Sequence, residues 1–279
     1  MKIIHTRQEL AREIAAYKAA HQSIGFIPTM GALHEGHLTL MRQARQENEA
    51  VVCSIFVNPT QFNNPDDLKR YPRQPEKDAE AVSGICDIAF IPTVEEMYPE
   101  TPDETYDFGD LEKVMEGPSR PGHFQGVAMV VSRLFEMVQP DRAYFGKKDY
   151  QQVAVIKRLV ALKHYPIQIV PVEIVRAPDG LALSSRNALL HPDKRQKAPF
   201  IYHTLQQAKA LSSTHTLDEV EAFVKAEMAG DTDFELEYFQ IADAESLQPI
   251  RNFEDAEHVV GCITVWLDGV RLIDNIEFK

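Results

Sequence analysis

The sequence predicts an α/β protein built on a doubly wound parallel sheet, with a second, smaller α+β domain. Short apolar runs alternate with amphipathic helical segments over the first part of the chain, which is the order of right-handed βαβ units. The run at residues 51–57 is almost continuously apolar, as in a parallel strand that is covered on both faces. After residue 177 two helical segments precede a block of strands, which indicates the second domain.

Periodicity and helix caps define the elements of the first domain. Residues 6–20 are predicted as a helix, because Thr6 and Glu9 have the spacing of a capping box and an apolar stripe follows. Residues 24–27 form an apolar strand, and a helix that starts near Leu38 ends near residue 48. Further strands are predicted at residues 51–57, 87–91, 143–146 and 167–172, helices at residues 76–83, 110–116, 120–138 and 152–163, and an irregular loop at residues 58–65.

The second domain begins after a turn at residues 177–180. Helices are predicted at residues 192–211 and 217–228, and strands at residues 234–241 and 258–278. Asp268-Gly269 lies between alternating apolar runs, which indicates a tight hairpin inside the last segment. We therefore divide the chain into a domain of residues 1–176 and an α+β domain of residues 177–279.

Composition excludes several classes of protein. The net charge of −13 argues against a general nucleic-acid binder, although a local cluster of Lys and Arg could still bind a small anion. Cys53, Cys86 and Cys262 are far apart, and their spacing fits neither a disulfide framework nor a zinc site. The N-terminus lacks the apolar region of a signal peptide, and no apolar run approaches the length of a membrane span. These features predict a cytoplasmic protein that binds no membrane.

The loop after the first strand of this pattern carries the most informative motif. Gly31, His34, Gly36 and His37 lie between that strand and the helix that starts near Leu38. The first turn of a helix leaves backbone N–H groups unpaired, so a glycine-bearing loop that enters a helix can bind phosphate. His-x-Gly-His alone is a weak pattern, and two histidines beside a turn are the plainer interpretation. The strand–loop–helix setting favours phosphate binding.

Other polar loops also follow predicted strands. In an open parallel sheet such loops meet at the carboxyl edge, so we expect four of them to line one cleft. Each has a plainer explanation: a turn at Asn58, exposed lysines, Ser184 as a helix cap, Arg186 in an ion pair, and His123 at a helix entry. Their shared position favours function. The loops contain Asn58 and Gln61, Arg120 and His123, Lys147, Lys148, Asp149 and Gln152, and Ser184, Ser185, Arg186 and Asn187.

Together these motifs resemble the pantoate–β-alanine ligase (pantothenate synthetase) family. The resemblance implies a Rossmann-like sheet of the nucleotidyltransferase type. Lys147 departs from the family pattern, in which Glu is expected at this position. The motifs occur in the family's order and are PTMGALHEGH from Pro28, FVNPTQF from Phe56, YPR from Tyr71, RPGHFQGV from Arg120, YFGKKDYQQ from Tyr144 and LSSRN from Leu183.

The resemblance implies a two-step reaction. Pantoate would react with ATP to give pantoyl adenylate and pyrophosphate, and β-alanine would then displace AMP to give pantothenate. Mg²⁺ is expected because it commonly accompanies ATP phosphates, although the sequence does not identify its ligands, and Asp78 cannot be assigned to it from spacing. The family also implies a homodimer, and the second domain is expected to close over the cleft.

The resemblance assigns the site residues as follows. His34, His37, Lys148 and Arg186 are the catalytic candidates, and His37 is the favoured proton donor. Gln61 and Gln152 would bind pantoate, since an amide supplies both a donor and an acceptor, and Asn58, Arg120 and His123 would lie in the same cleft. ATP would contact Met30, Gly31, His34, Gly36, His37, Gly146, Lys147, Lys148, Asp149, Val175, Leu183, Ser184, Ser185 and Arg186.

Two other functions use the same histidine loop. A nucleotidyltransferase that keeps the nucleotide on its product, forming a dinucleotide, shares this loop but not the loops at Asn58/Gln61 and at residues 148–152. A regulatory module with vestigial motifs would bind ATP without catalysis. Free AMP as a stoichiometric product distinguishes the ligase from the first, and carboxylate-dependent pyrophosphate exchange distinguishes it from the second.

Overall fold

The computed structural model describes residues 1–100 and 103–279. The described residues form two compact units, each made from several stretches of chain. The first unit contains residues Met1–Phe108, Arg120–Lys147 and Val155–Glu173, and the second contains Gly109–Ser119, Lys148–Ala154 and Ile174–Lys279.

The first unit is organised around a parallel sheet. Among the described residues its six strands lie in the order β1-β4-β3-β2-β5-β6, and every pairing in it is parallel. This is the predicted doubly wound sheet, with the strand order reversing between β2 and β5. The strands are β1 (Lys2–Ile4), β2 (Ile24–Thr29), β3 (Ala50–Ile55), β4 (Ile88–Phe90), β5 (Arg142–Gly146) and β6 (Gln168–Val172).

Helices connect these strands, and their caps follow from the sequence. Thr6 accepts a hydrogen bond from Glu9 N–H at 3.2 Å and so caps α1, as predicted.

The central strand β3 is buried along its whole length, which explains its continuous apolar run. The helices are α1 (Arg7–Ala19), α2 (Glu35–Glu47), α3 (Pro65–Arg70), α4 (Pro75–Val82), α5 (Val94–Met97), α6 (Glu116–Ser119), α7 (His123–Val138) and α8 (Tyr150–Lys163).

The second unit contains an antiparallel sheet in the order β7-β8-β9. Its strands are β7 (Phe234–Asp243), β8 (Val259–Leu267) and β9 (Val270–Glu277), and its long C-terminal segment adds α9 (Pro192–Lys197), α10 (Phe200–Leu211) and α11 (Leu217–Ala229). Asp268 and Gly269 both have positive φ angles, 56° and 69°, which a two-residue turn between twisted strands requires. The predicted hairpin is confirmed.

The structure corrects several predicted elements. The helix predicted over residues 192–211 is two helices, because Pro199, which has no N–H to donate, stands between them. The loop at residues 58–65 contains a 3₁₀ turn, Pro59–Gln61, and residues 110–116 contain the 3₁₀ turn Gly109–Glu112 rather than one helix. β1, α3 and α5 were not predicted, since elements of three to six residues carry little periodicity.

The predicted division at residues 176 and 177 lies close to Ile174, where the longest segment of the second unit begins. Two short segments, Gly109–Ser119 and Lys148–Ala154, also belong to the second unit, and periodicity does not reveal such contacts. The division into functional domains of residues 1–176 and 177–279 stays a prediction.

The three cysteines are buried free thiols, and two of them, Cys53 and Cys86, lie in apolar runs of the sequence. Hydrogen bonding with Cys86, together with burial, holds the pKa of Cys53 well above its usual range. Burial raises the pKa of Cys262 to about 12. The Cys53 and Cys262 thiols therefore stay protonated at neutral pH and are poor nucleophiles. Within residues 1–100 and 103–279, no helix is long and apolar enough to cross a membrane.

Candidate active site

Three of the predicted loops lie at the carboxyl edge of the parallel sheet in the first unit. His34 and His37 follow β2, Asn58 and Gln61 follow β3, and Gly146 ends β5. β2 and β5 are the neighbours between which the strand order reverses. Ligands of open α/β sheets bind outside the carboxyl ends at such a point, so the loops after β2 and β5 have the expected position of a nucleotide site.

The two histidines lie side by side at the start of α2. His34 is the N-cap residue, and its Nδ1 accepts from Gly36 N–H at 3.1 Å. His37 Nδ1 accepts from His34 N–H at 3.3 Å, and the ring centroids are 4.1 Å apart. A neutral imidazole that accepts at Nδ1 carries its proton on Nε2. Both rings can therefore donate through Nε2 to the same anion.

A buried carboxylate shapes the loop that leads to these histidines. Asp78, on α4, is 1% exposed, and its two oxygens accept from Ala32 N–H and Leu33 N–H, each at 2.8 Å. Gly31 and Ala32 have φ angles of 76° and 49°, and a Cβ on Gly31 would lie 2.8 Å from Asp78 Oδ2. Gly31 is thus required by both backbone angle and space. The sequence alone did not identify Asp78 as the support of this loop.

Asn58 and Gln61 are linked to each other and to the histidine loop. Asn58 is 1% and Gln61 7% exposed. Asn58 Nδ2 donates to Gln61 Oε1 at 3.2 Å and to the carbonyl of Gly126 at 3.1 Å. Gln61 Nε2 donates to Met30 Sδ at 2.9 Å. The structure therefore brings Met30, Asn58 and Gln61 together, and their roles in binding ATP and pantoate stay a prediction.

His123 and Arg120 extend this cluster. His123 is buried at the first position of α7, and its Nδ1 donates to the carbonyl of Gln61 at 2.9 Å. Arg120 Nη1 donates to His123 Nε2 at 3.0 Å, since a guanidinium cannot accept. His123 is therefore neutral, with its proton on Nδ1. His123 therefore begins α7 and also holds the backbone of Gln61 through a hydrogen bond.

Gly146 and Lys147 complete the candidates of the first unit. Lys147 Nζ lies 2.5 Å from Glu173 Oε1, just after the neighbouring strand β6. Lys147 stays a candidate for ATP contact.

Lys148 and Asp149 belong to the second unit, where β9 holds their backbone. The Lys148 side chain is 18% exposed, and its Nζ lies 3.8 Å from Asp149 Oδ2. Asn275 is buried on β9, and its Nδ2 donates to the carbonyl of Lys148 at 3.0 Å. A residue far away in sequence thus fixes the segment that carries the candidate phosphate lysine.

The adjacent glutamines Gln151 and Gln152 have different surroundings. Gln151 is buried, accepts from Glu116 N–H at 2.9 Å and donates to the carbonyls of Leu111 and Val114 at 2.6 and 3.0 Å. Gln152 is half-buried in the first turn of α8. Gln151 is therefore structural, which leaves Gln152 as the candidate substrate residue of this pair.

The remaining candidates of the second unit lie on a short loop. Leu183 N–H donates to the carbonyl of Val175 at 3.0 Å, which brings these two residues together. Ser184 Oγ accepts from Arg186 N–H at 3.2 Å and caps the 3₁₀ turn Ser185–Leu189. Ser184 is thus a cap, while Ser185 and Arg186 are half-buried within the turn.

A buried ion pair secures this loop to β9. Arg176 Nη1 and Nη2 donate to the two oxygens of Asp274 at 2.6 and 2.9 Å, and its guanidinium lies 3.5 Å from the centre of the Tyr202 ring. Burial raises the pKa of Asp274, and the Arg176 charge acts in the opposite direction. Sequence analysis did not identify Arg176, Asp274 or Asn275, because their partners are about a hundred residues away in the chain.

The candidates therefore fall into two groups. The first unit holds the paired histidines, the amide cluster and the end of β5, and the second holds Lys148, Asp149, Gln152 and the residues from Val175 to Arg186. The prediction that all of these loops line one cleft stays a prediction. Where the chain is described, no group of three His, Cys, Asp or Glu side chains could hold a metal ion.

Comparisons with known proteins agree with the sequence motifs. The family model described as pantoate-beta-alanine ligase matches residues 2–277. The chain is 47% identical over 280 residues to a pantothenate synthetase of Bacteroides fragilis, with 100% of this chain and 99% of the relative covered. It is 48% identical over 280 residues to a pantothenate synthetase of Porphyromonas gingivalis, and the match covers 100% of both chains.

Solved structures give the same result. The pantothenate synthetase of Thermus thermophilus superposes with a TM-score of 0.93 at 42% identity and covers 100% of both chains. A pantoate-beta-alanine ligase from Francisella tularensis, solved in complex with beta-gamma ATP and beta-alanine, has a TM-score of 0.83 at 34% identity. That match covers 100% of this chain and 98% of the Francisella chain.

Proposed function

The chain belongs to the pantoate-β-alanine ligase family, and we propose that it condenses pantoate with β-alanine in two steps that use ATP. In the first step a pantoate carboxylate oxygen bonds to the α-phosphorus and the bond to pyrophosphate breaks. In the second step the β-alanine amine bonds to the acyl carbon, AMP leaves, and the nitrogen loses a proton. The products are pantothenate, AMP and pyrophosphate.

The observation that carries this proposal is the pair of histidines at the start of α2. Displacement at phosphorus shifts negative charge onto the phosphate oxygens and the leaving pyrophosphate. His34 and His37 accept backbone N–H groups at Nδ1 and so direct Nε2 donors to that charge. The positive end of the α2 dipole acts in the same direction. We assign His37 as the hydrogen-bond donor, through Nε2, to the reacting phosphates.

Positive charge and hydroxyl groups belong to the nucleotide site in this proposal. Lys148 and Arg186 neutralise the phosphates, and Ser184 and Ser185 donate to them. Gly146 and Asp149 face the ribose, while Met30, Val175 and Leu183 contact the nucleotide. Support comes from the hydrogen bonds that hold Lys148 and Leu183 in defined positions.

Pantoate is the proposed ligand of Gln61 and Gln152. Pantoate carries hydroxyl groups and a carboxylate, and an amide can donate to one and accept from another. Asn58 and His123 support this role because both contact Gln61 and hold it in place. Arg120, which donates to His123, adds a positive charge to the same cluster.

Mg²⁺ and the homodimer are proposals that rest on the family resemblance. In this proposal Mg²⁺ accompanies the ATP phosphates and keeps most of its waters. The described contacts of Asp78 are both to backbone N–H groups. The Francisella relative, solved with beta-gamma ATP and beta-alanine, supports ATP and β-alanine as substrates.

The products formed from ATP, pantoate and β-alanine test this function, with each substrate omitted in turn. We expect pyrophosphate release that requires pantoate, and stoichiometric AMP and pantothenate only when β-alanine is also present. An enzyme that transfers and retains the nucleotide would give a dinucleotide product without free AMP. ATP binding without pantoate-dependent pyrophosphate exchange would contradict any ligase activity.

A further inference from the structure

Asn58 joins five polar groups of the first unit at one buried amide. Its Oδ1 accepts from Thr60 N–H at 3.3 Å, from Thr60 Oγ1 at 3.1 Å and from the Tyr98 hydroxyl at 2.9 Å. Its Nδ2 donates to the carbonyl of Gly126 and to Gln61 Oε1. The side chain is 1% exposed, so water cannot easily replace these partners.

Two backbone groups decide which way the Asn58 amide faces. Thr60 N–H can only donate and the Gly126 carbonyl can only accept. A rotation of the amide by a half-turn would place N–H against N–H and oxygen against oxygen. These two backbone groups set the direction of the Asn58 amide, so the Tyr98 hydroxyl must be a donor to Oδ1, and this third bond restrains the amide in that direction.

The orientation of Asn58 determines that of Gln61. Asn58 Nδ2 needs an acceptor, so Gln61 must turn Oε1 towards it and Nε2 away from it. The described partner of Gln61 Nε2 is Met30 Sδ, and a thioether is a weak acceptor. A substrate oxygen that reaches this amide would be a stronger partner than Met30.

We propose that Tyr98, acting through Asn58, is a positioning residue that keeps the Gln61 amide with its N–H donors turned to the substrate. The site then selects a substrate group that accepts a hydrogen bond there, a carboxylate or hydroxyl oxygen. This inference rests on the proposed function in placing pantoate at Gln61, while the orientation of the amide is a property of the chain alone.

The surroundings of Tyr98 suit this role. It follows α5, its ring is half-buried, and the Arg133 guanidinium lies 5.2 Å from the ring centre. Phe56, which follows β3, packs at 6.3 Å between ring centroids. Burial raises the pKa of Tyr98, so its hydroxyl remains protonated and can donate at neutral pH.

Calorimetry on Tyr98→Phe tests the positioning role through binding. Pantoate is titrated into the chain bound to α,β-methylene ATP, which cannot release pyrophosphate, and that nucleotide is titrated separately. We expect the pantoate dissociation constant to rise about five- to tenfold, the effect of one lost hydrogen bond, with nucleotide affinity unchanged. Unchanged pantoate affinity, or an equal loss for both ligands, would overturn the proposal.

Tyr165→Phe is the matched control. Tyr165 is also half-buried in the first unit, and its hydroxyl contacts Ser132 and Glu136 at 2.7 Å each rather than Asn58. We expect pantoate affinity as in the unaltered chain. A similar loss in this control would assign the effect of Tyr98→Phe to stability alone, which thermal unfolding of both variants measures.

Asn58→Asp tests the orientation itself. A carboxylate at position 58 cannot donate, so the Gln61 amide should turn and donate to it, leaving Oε1 towards the substrate. We expect pantoate affinity to fall about 100-fold, because an oxygen of the substrate then faces an oxygen of Gln61. Affinity within threefold of the unaltered chain would contradict the proposal.

Nuclear magnetic resonance measures the orientation of the Gln61 amide without any ligand. In a chain labelled with ¹⁵N-glutamine, the side-chain signal of Gln61 is assigned with Gln61→Leu. A bond to the new carboxylate should move that signal downfield in Asn58→Asp, and an unmoved signal would overturn the amide relay. If the unaltered chain binds no pantoate, the proposed function fails, yet this shift still decides the orientation of Gln61.

Discussion

His34 and His37 show how a backbone contact sets the chemistry of a side chain. Each ring accepts a backbone N–H at Nδ1, so the fold, and not the residue type, assigns the proton to Nε2. The sequence predicts that the two imidazoles share one face of a loop. The structure adds which nitrogen of each ring can donate.

Replacement of His37 with Ala tests its proposed role as a donor to phosphate. We expect the rate of adenylation to fall about 100-fold or more, the scale of one lost transition-state donor. Pantoate-dependent pyrophosphate release in a single turnover measures this rate. His203→Ala is the control, since His203 is exposed on α10, and its rate should not change. Unaltered pyrophosphate release in the His37 variant would refute the assignment.

Asp78 is predicted to act through the backbone of the histidine loop. In Asp78→Asn an amide NH₂ would replace one of the two oxygens and would face a backbone N–H of Ala32 or Leu33. We expect a loss of about 1–3 kcal/mol in the free energy of unfolding, the cost of an unpaired buried group, and slower adenylation. Urea unfolding and pyrophosphate release measure the two effects.

Glu80→Gln is the matched control for Asp78, because Glu80 is exposed on the same helix, α4. Its stability and rate should stay close to those of the unaltered chain. If Asp78→Asn were equally harmless, the two hydrogen bonds to the loop would not determine its shape.

Among the elements, α7 approaches the loop of Asn58 and Gln61 closely. A Cβ at Gly126 would lie 2.3 Å from the carbonyl oxygen of Thr60 and 2.7 Å from Gln61 Cα. The helix and the 3₁₀ turn Pro59–Gln61 can therefore touch only where the side chain is a hydrogen atom. This contact gives Asn58 its acceptor, the Gly126 carbonyl.

Gly126→Ala is expected to separate these two elements. Alanine favours a helix over glycine by up to about 1 kcal/mol, but the steric overlap should dominate and lower stability by about 1–3 kcal/mol. The temperature of thermal unfolding and the affinity for pantoate should both be lower than in the unaltered chain. Gly230→Ala, at the end of α11, meets no atom closer than 3.3 Å and should change stability less. A more stable Gly126→Ala would show that the contact is loose.

On the scale of the molecule, an ionic network joins separate segments of the second unit to one another. Glu116 accepts from the Tyr238 hydroxyl at 2.7 Å, from Thr264 Oγ1 at 3.1 Å and from Arg271 at 2.7 and 2.8 Å. Arg271 also donates to Glu237 at 2.9 and 2.8 Å. The network ties Gly109–Ser119 to β7, β8 and β9, although the chain between them includes much of the first unit.

Arg271→Met should destabilise the chain by about 3–5 kcal/mol, because it leaves the buried carboxylate of Glu116 and the half-buried carboxylate of Glu237 without their cation. The free energy of unfolding in urea is the measurement. Lys225→Met is the control: Lys225 pairs with Glu221 at 3.2 Å on the surface of α11, and its loss should cost under about 0.5 kcal/mol. Equal effects of the two variants would mean that burial adds nothing to the strength of this network.

The candidate site was predictable where residue types and local spacing carry the information. The histidine pair, Asn58 with Gln61, and Ser184 with Arg186 each lie within three residues of one another, so sequence motifs contain them. Asp78, Tyr98 and Asn275 were not predictable. Their partners lie at least 40 residues away, and nothing in an isolated Asp, Tyr or Asn indicates which backbone group it will meet.

The sequence by itself determined the alternation of strands and helices, the parallel sheet, the hairpin at Asp268-Gly269 and the family resemblance. These depend on periodicity, turn residues and short motifs, which act over a few residues. The tertiary structure alone decided the tautomers of His34 and His37, the direction of the Gln61 amide and the membership of Gly109–Ser119 in the second unit. Each depends on hydrogen-bond donors and acceptors that meet only after packing, so local sequence patterns do not contain them.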